Sequence, residues 1–399
     1  MTHAMSGPVT LSLDRPNPFD PPRDLARWRE EGPIRPMLYA DGHVGWLVTG
    51  YEAARAVLAD PRFGTDLDRL HPPVGGRLTQ RLFAGIPGFF LHQDPPEHTR
   101  IRRLLTGQFT LRRAKELEPR IRQIAGELLD GMEKAGPPVD LVEVFALPLP
   151  SLVICELLGV PTGAQESFQR QSEVMLDLDS TSDQVREAVS GLMAFMLELV
   201  DGKRARPGED VISNLVATKQ LTKEEIAGVA MLLVVAGHET TANMLALGTF
   251  TLLRNPAQLA ALREDPVRRA PAAVEELMRY LSIIHIGLLR TAMADVPIEG
   301  HMIRAGESVT VSLSAADRDP ARFPDPDALD VTRPATGHLA FGHGVHQCIG
   351  QQLARVEMRV GYPALLERFP GLRLAVEPEQ VATRSDMAIY GVHRLPVAW

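Results

Sequence analysis

One apolar segment near the middle of the chain constrains the fold more than any other feature. Ile226 to Leu253 reads IAGVAMLLVVAGHETTANMLALGTFTLL, and with its flanks it predicts a helix from Thr222 to Arg254, about 50 Å long at 1.5 Å per residue. That is the width of a globule made from 399 residues, so the helix must run through the middle. Its all-round apolar character predicts burial. His238, Glu239, Thr240 and Thr241 interrupt its centre. A carboxylate at bilayer depth costs several kcal/mol, so the segment reads as a core helix and not as a membrane span.

Around this helix the pattern is mainly α with a minor β part. Alternating apolar residues over His43–Thr49 predict an early strand,. Tyr51–Asp60 reads as a short helix, and the glycine- and proline-rich stretch Phe63–Pro96 as a long irregular loop, a length that is usually functional. From Glu97 to Thr218 the periodicity is helical, with breaks expected at Gly136–Pro138, Pro148–Pro150 and Gly159–Thr162. A helix is expected over Pro266–Tyr280 and another after Cys348. The β-rich parts are expected at roughly 30–50 and 283–335 and in the C-terminal strands. With no repeat and no low-complexity linker, residues 1–399 are expected to form a single domain.

Charge and cysteine content exclude several classes. With 42 basic and 50 acidic side chains the net charge is −8, which does not suit nucleic acid or an anionic membrane surface. Two cysteines, Cys155 and Cys348, cannot form a disulfide framework,. The N-terminus lacks the basic and apolar runs of a signal peptide,. A cytoplasmic, monomeric protein is expected.

The segment Phe341–Gly350, FGHGVHQCIG, carries chemistry. Its glycines let backbone approach something flat and bulky around the Cys348 sulfur. The following GQQLARVEMRV predicts a helix, whose N-terminus favours a permanently ionised sulfur ligand. Cys155, in the apolar run SLVICELLGV, reads instead as a small core hydrophobe,. His98 and Arg102, in DPPEHTRIR, lie one helical turn apart on one face and suit a single anionic group,. Glu239 and Thr240 need a polar neighbour to sit in an apolar helix, while Gly237 opens a groove and Thr240 can bond the carbonyl four residues back.

These segments, in this order, resemble the cytochrome P450 family, and the soluble actinobacterial branch in particular. FGHGVHQCIG matches its haem-binding signature through Phe341, Gly344, Cys348 and Gly350. The resemblance spans nearly the whole chain and implies the P450 fold, with the long helix over a haem b whose axial ligand is the Cys348 thiolate. It implies that Ala236 and Gly237 border the haem, that Glu239 and Thr240 are the acid–alcohol pair delivering protons to dioxygen, and that His98, Arg102, Arg290 and His346 bind the propionates. Glu276, Arg279 and Arg333 are implied to form a buried structural network behind the cysteine loop. One departure is Asp317 in AADRDP, where asparagine is commoner.

What the resemblance implies is a monooxygenase that inserts one atom of O2 into a bulky hydrophobic molecule of polyketide, macrolide, terpenoid or steroid-like type. The chain has no flavin or nicotinamide fingerprint, so electrons are expected from a ferredoxin and its reductase. Arg100, Arg102, Arg103, Arg112, Arg113 and Lys115 form a local basic patch that suits an acidic ferredoxin as readily as solvent. Apolar residues in segments that line the family's pocket are Leu82, Phe83, Phe89, Phe90 and Leu91, then Ile286 and Leu289 within Ile283–Leu289, and Ile389. Two alternatives keep the haem: a peroxide-using, isomerising or coupling enzyme, and a non-catalytic haem carrier. The intact Glu239–Thr240 pair favours dioxygen chemistry over both.

Overall fold

The computed structural model describes residues 7–15, 17–74, 83–161 and 163–399. In chain order, α1 (Arg23–Glu31) leads to the hairpin β1 (Ile34–Leu38) and β2 (Val44–Val48), then α2 (Tyr51–Ala59) and β3 (Phe63–Gly64). The helical region holds α3 (Glu97–Thr106), α4 (Leu111–Ala135), the short strand β4 (Val139–Asp140), α5 (Pro148–Leu158), α6 (Gln165–Leu176), α7 (Ser182–Ala205) and α8 (Val211–Thr218). It continues through α9 (Lys223–Arg254), α10 (Pro256–Arg263) and α11 (Pro266–Leu281). The remainder is β5 (Leu288–Ala292), β6 (Val296–Ile298), β7 (His301–Ile303), β8 (Ser308–Val311), α12 (Leu313–Ala316), α13 (Gln351–Arg368), β9 (Arg373–Leu374) and β10 (Pro396–Ala398).

α9 is the long apolar helix, and α5, α7 and α13 pack around it. It starts where expected because Thr222 caps it: its hydroxyl accepts from the Glu225 N–H, and the Glu225 carboxylate accepts from the Thr222 N–H,. It is long and apolar enough to cross a membrane, but 78% of its most apolar window is buried inside the protein. The larger sheet has the order β1-β2-β8-β5-β3. β2 and β8 pair in parallel, with Trp46 opposite Val309, and β5 runs antiparallel to β8, with Arg290 opposite Val309. A smaller sheet joins β4, β10 and β9, tying the chain end to the helical region.

Two readings of the sequence need correction. Pro148–Pro150 does not break the helical region but forms the first turn of α5, where a missing N–H costs nothing; a π-helical turn at Val142–Ala146 leads into it. α12 falls inside the stretch read as strands and loops, capped by the Ser312 hydroxyl. In the long loop, a Cβ on Gly88 would lie 2.0 Å from the Glu225 carbonyl oxygen and one on Gly228 1.9 Å from that of Pro87. Glycine at both places lets this loop lie directly on the first turns of α9. Leu82 lies outside the described residues.

Asp317 gives the fold a pH dependence. Its fully buried carboxylate accepts from the Leu339 N–H (2.6 Å) and the Ser282 hydroxyl (3.0 Å), joining the end of α11 to the approach to the cysteine loop. Burial pushes the group from 3.8 up to about 6, against the pull of His338 and the Leu339 N–H. A carboxyl raised on folding stabilises below its unfolded value and loses that contribution as pH rises through its folded one. Stability is therefore expected to fall between about pH 4 and pH 6. Asp317→Asn keeps the acceptor for Leu339 and removes the titration. Its thermal midpoint is expected above the parent's at about pH 7.5, with the gap closing towards about pH 4. A gap independent of pH would assign the effect elsewhere.

Candidate active site

The cysteine loop is built by backbone. The Cys348 N–H donates to the Phe341 carbonyl (2.8 Å), closing the segment, and Gly350 caps α13. Gly344 has φ of +74°, and a Cβ there would lie 2.2 Å from the Leu58 carbonyl oxygen of α2, so only glycine fits. The Arg355 guanidinium stacks over the Phe341 ring at 4.4 Å. Burial pushes the Cys348 thiol up, while the N–H groups of Gly350 and Gln351 and the charges of Arg102 and Arg355 pull the other way. Cys348 lies deep in the protein yet its side chain is accessible, so the sulfur faces an internal space. Cys155 is buried in α5, and burial pushes its thiol up to about 12.

A buried basic cluster lies beside this loop. The rings of His98 and His346 are 4.1 Å apart, and His346 Nε2 is 3.9 Å from Asp94. His98 is 2% exposed and neither ring nitrogen has a partner among the described residues. Burial, then His346 and Arg102, lowers it to about 4. Arg102 donates to the Gln347 carbonyl. Arg290, in β5, is buried, donates among the described residues only to the Leu289 carbonyl (2.8 Å) and is lowered to about 10 by burial. His92, which the sequence reading passed over, is half-buried within range of His346 and Arg290, and desolvation lowers it to about 4. Arg102 and Arg290 have no carboxylate within 4.0 Å among the described residues, and a cation taken out of water without one demands an anion.

At mid-height of α9 the burial pattern is interrupted. Ala236 is exposed and Val235, Gly237 and Thr240 are half-buried, in a helix otherwise buried from Ile226 to Leu252. The Thr240 hydroxyl donates to the Ala236 carbonyl (2.9 Å). Gly237 has a second role besides opening this face: a Cβ there would press on Ile154 of α5 at 3.0 Å. Glu239 is buried, 3.2 Å from the Arg384 guanidinium and 3.3 Å from Asn243 Nδ2. Below it, Glu357 of α13 is buried and pushed up to about 8, with Thr241 as its hydrogen-bond partner. Neither Arg384 nor Glu357 was singled out from sequence, since nothing in their local pattern points to α9.

Behind the loop, Arg279 and Glu276 are both 0% exposed and paired through two bonds of 2.7 and 2.8 Å. Arg333 joins them through Glu276 at 3.2 Å. Arg279 also donates to the carbonyls of Asp317 and Pro326. The neighbouring Glu275 builds a second network with Arg355 (2.7 Å), His338 (3.1 Å) and Arg359 (3.4 Å). Burial pushes the Glu275 carboxyl up, but His338 and Arg355 outweigh it and hold it down at about 2.

The sequence profile of the family described as Cytochrome P450 matches residues 174–387. Cytochrome P450 105C1 of Streptomyces sp is 51% identical over 400 residues, covering 100% of both chains. The chain belongs to the cytochrome P450 family. It is a P450 monooxygenase, and its fold is that of solved P450 structures. The crystal structure of CYP105P1 in complex with filipin I superposes with a TM-score of 0.92 at 42% identity, over 98% of this chain and 99% of that one. The mycinamicin VIII methyl hydroxylase MycCI from Micromonospora griseorubida, bound to mycinamicin VIII, superposes at 0.91 with 38% identity, over 98% and 100%.

P450s carry a haem held by a cysteine thiolate, and the residues of this chain fit that group. The Cys348 sulfur faces an internal space at a helix N-terminus, α9 opens at Ala236 and Thr240, and the unpartnered His98 and the carboxylate-free Arg290 offer positive or hydrogen-bonding groups to propionates. The expected pocket residues lie on three segments. Phe83 and Phe89 stack at 5.1 Å on the loop lying over α9. Phe90 is buried and Leu91 is exposed. Ile286 is buried, Leu289 is half-buried in β5, and the half-buried Ile389 bridges to Ile284.

The basic patch is smaller than the sequence implied. Arg100 pairs with Glu97 and Glu225, Arg112 and Arg113 with Glu116, and Arg102 turns inward. Only Arg103 and Lys115 of the six form no such contact among the described residues.

Proposed function

We propose that this P450 inserts one oxygen atom of O2 into a bulky hydrophobic secondary metabolite of polyketide, macrolide, terpenoid or steroid-like type, by hydroxylation or epoxidation. The reaction is RH + O2 + NAD(P)H + H⁺ → ROH + H2O + NAD(P)⁺. Electrons reach the protein through a reductase and a ferredoxin, because this chain has no flavin or nicotinamide motif of its own. The ferredoxin meets the cysteine-loop face, where Val345 is 49% exposed, aided by Arg103 and Lys115, which form no ion pair among the described residues. The protein works in the cytoplasm as a monomer.

The observation that carries this reading is the open band on α9: Ala236 is exposed and Thr240 half-buried, with its hydroxyl on the Ala236 carbonyl, while Glu239 is buried next to it. A bound haem would supply dioxygen reduction; Cys348, with Phe341 and Gly350 shaping its loop, would hold its iron. Arg102 and Arg290 would neutralise the propionates, and His98 and His346 would offer them hydrogen bonds from uncharged rings. Thr240 passes protons to the reacting oxygen, and Glu239 resupplies Thr240, a general-acid role worth roughly 10²–10⁴-fold. Phe83, Phe89, Ile286, Leu289 and Ile389 supply apolar contact to the substrate. The ligands of the filipin I and mycinamicin VIII complexes are in keeping with a substrate of that size class.

Substrate-dependent NADPH oxidation with added ferredoxin and reductase, on compounds that shift the Soret band in a library screen, tests the reading. Product without a reductase, from peroxide alone, would overturn it. Thr240→Ala is expected to keep haem and the substrate-induced spectral shift but to divert most electrons to hydrogen peroxide, lowering product per NADPH by roughly tenfold or more. Coupling equal to the parent's would remove Thr240 from the relay.

A further inference from the structure

Glu239 has one cationic neighbour within 4.0 Å among the described residues, and it comes from near the far end of the chain. Arg384 Nη2 lies 3.2 Å from Glu239 Oε2, with both side chains buried. The other contact, His238 Nε2 at 3.9 Å, is not a cation: the Nδ1–H donates to the Val234 carbonyl (2.7 Å), and burial lowers the ring's proton affinity. Asn243 holds the opposite side, donating from Nδ2 to the Glu239 carbonyl (2.8 Å) and carboxylate (3.3 Å).

The segment that delivers Arg384 is anchored without help from its side chain. The Arg384 N–H donates to the Gly391 carbonyl (2.9 Å), and Thr383 bridges Val392. Gly391 sits so close to α9 that a Cβ would lie 1.9 Å from Asn243 Oδ1. At the other end the Leu178 N–H donates to Asp386 and the Ala388 N–H to Leu176, binding the hairpin to the end of α6. The guanidinium makes no directed hydrogen bond to any described residue: Nε and Nη2 are buried without one, and the approach to Glu239 is purely ionic. A buried arginine that holds up nothing else has its effect at the charge it faces.

We infer that Arg384 is a positioning residue for Glu239. Arg384 on one side and Asn243 on the other fix the carboxylate at the level of Thr240, so protons leave it towards Thr240. The inference rests on the relay proposed above. The same hairpin carries Ile389, so pocket lining and proton supply share one piece of backbone.

The test is a double-mutant cycle read as the share of NADPH electrons recovered as peroxide, O2 + NADPH + H⁺ → H2O2 + NADP⁺. It uses the haem-loaded protein with ferredoxin and reductase, with and without biphenyl as a pocket-filling probe. Arg384→Gln is expected to cut the electrons not lost to peroxide by roughly tenfold, with the carbon monoxide spectrum and haem content unchanged. Arg384→Lys, which keeps the charge, is expected to restore part of the loss. In a Glu239→Gln background, Arg384→Gln is expected to add less than about twofold. That double variant buries two neutral groups, so it keeps the comparison available if the single variant folds poorly. Independent, multiplying effects in the cycle, or an Arg384→Gln protein indistinguishable from the parent, would overturn the inference. Glu239→Gln without effect would instead overturn the relay reading itself.

Discussion

Cys348→Ser protein, reduced and exposed to carbon monoxide, is expected to show no red-shifted Soret band at all, while Cys155→Ser keeps the full band. The expectation follows from what surrounds each sulfur. Cys348 faces an internal space; burial pushes its thiol up, but two N–H groups and two arginines oppose that and would favour the thiolate once a cation binds it. Cys155 is enclosed by apolar side chains, and burial holds its thiol protonated. Axial ligand identity sets haem electronics, and a serine hydroxyl is too weak an acid to replace the thiolate. The loop's backbone bond from Cys348 to Phe341 survives the change, so the variant should still fold. A retained band in Cys348→Ser, or its loss in Cys155→Ser, would overturn the assignment.

Arg279→Ala is expected to give little soluble, haem-loaded protein, whereas Thr240→Ala purifies in normal yield. Arg279 and Glu276 are wholly buried, and Arg279 also satisfies the carbonyls of Asp317 and Pro326. Removing it strands the Glu276 carboxylate and at least two carbonyls. Breaking one side of a buried pair costs about 3–5 kcal/mol, a large part of a typical ~5–15 kcal/mol stability. Arg333 at 3.2 Å from Glu276 recovers only some of this, because it is already engaged with the carbonyls of Pro324 and Asp325. The measurements are the haem-to-protein ratio and the thermal midpoint of each variant. A fully loaded Arg279→Ala protein as stable as the parent would reduce the pair to an incidental contact.

The difference between these two variants, one aimed at chemistry and one at the fold, was visible in the linear chain because each residue belongs to a local motif. His98 and Arg102 share a helix face by spacing alone, and both end in the basic cluster. The charge of the patch around Arg100 was not legible in the same way. Its neutralising partners include Glu225, on the first turn of α9, and no spacing rule connects the two. Pro148 was misread because proline either ends a helix or begins one, and the choice depends on whether the preceding turn is already helical.

What the sequence by itself determined is the set of elements whose signal is local. The apolar run Ile226–Leu253 determined a buried central helix, and Thr222 with Glu225 its start. FGHGVHQCIG determined a tight loop opening a helix with its sulfur at the N-terminus. Only the tertiary structure decided which buried charges meet. Arg384 reaches Glu239, Glu357 reaches Thr241, and Glu275 rather than Glu276 takes Arg355 and His338. Hydrophobic period and capping are properties of a few consecutive residues, whereas a charge pair forms only after α9, α13 and the terminal hairpin have been packed together. The energy of each such contact depends on the burial that packing creates, which no single segment carries.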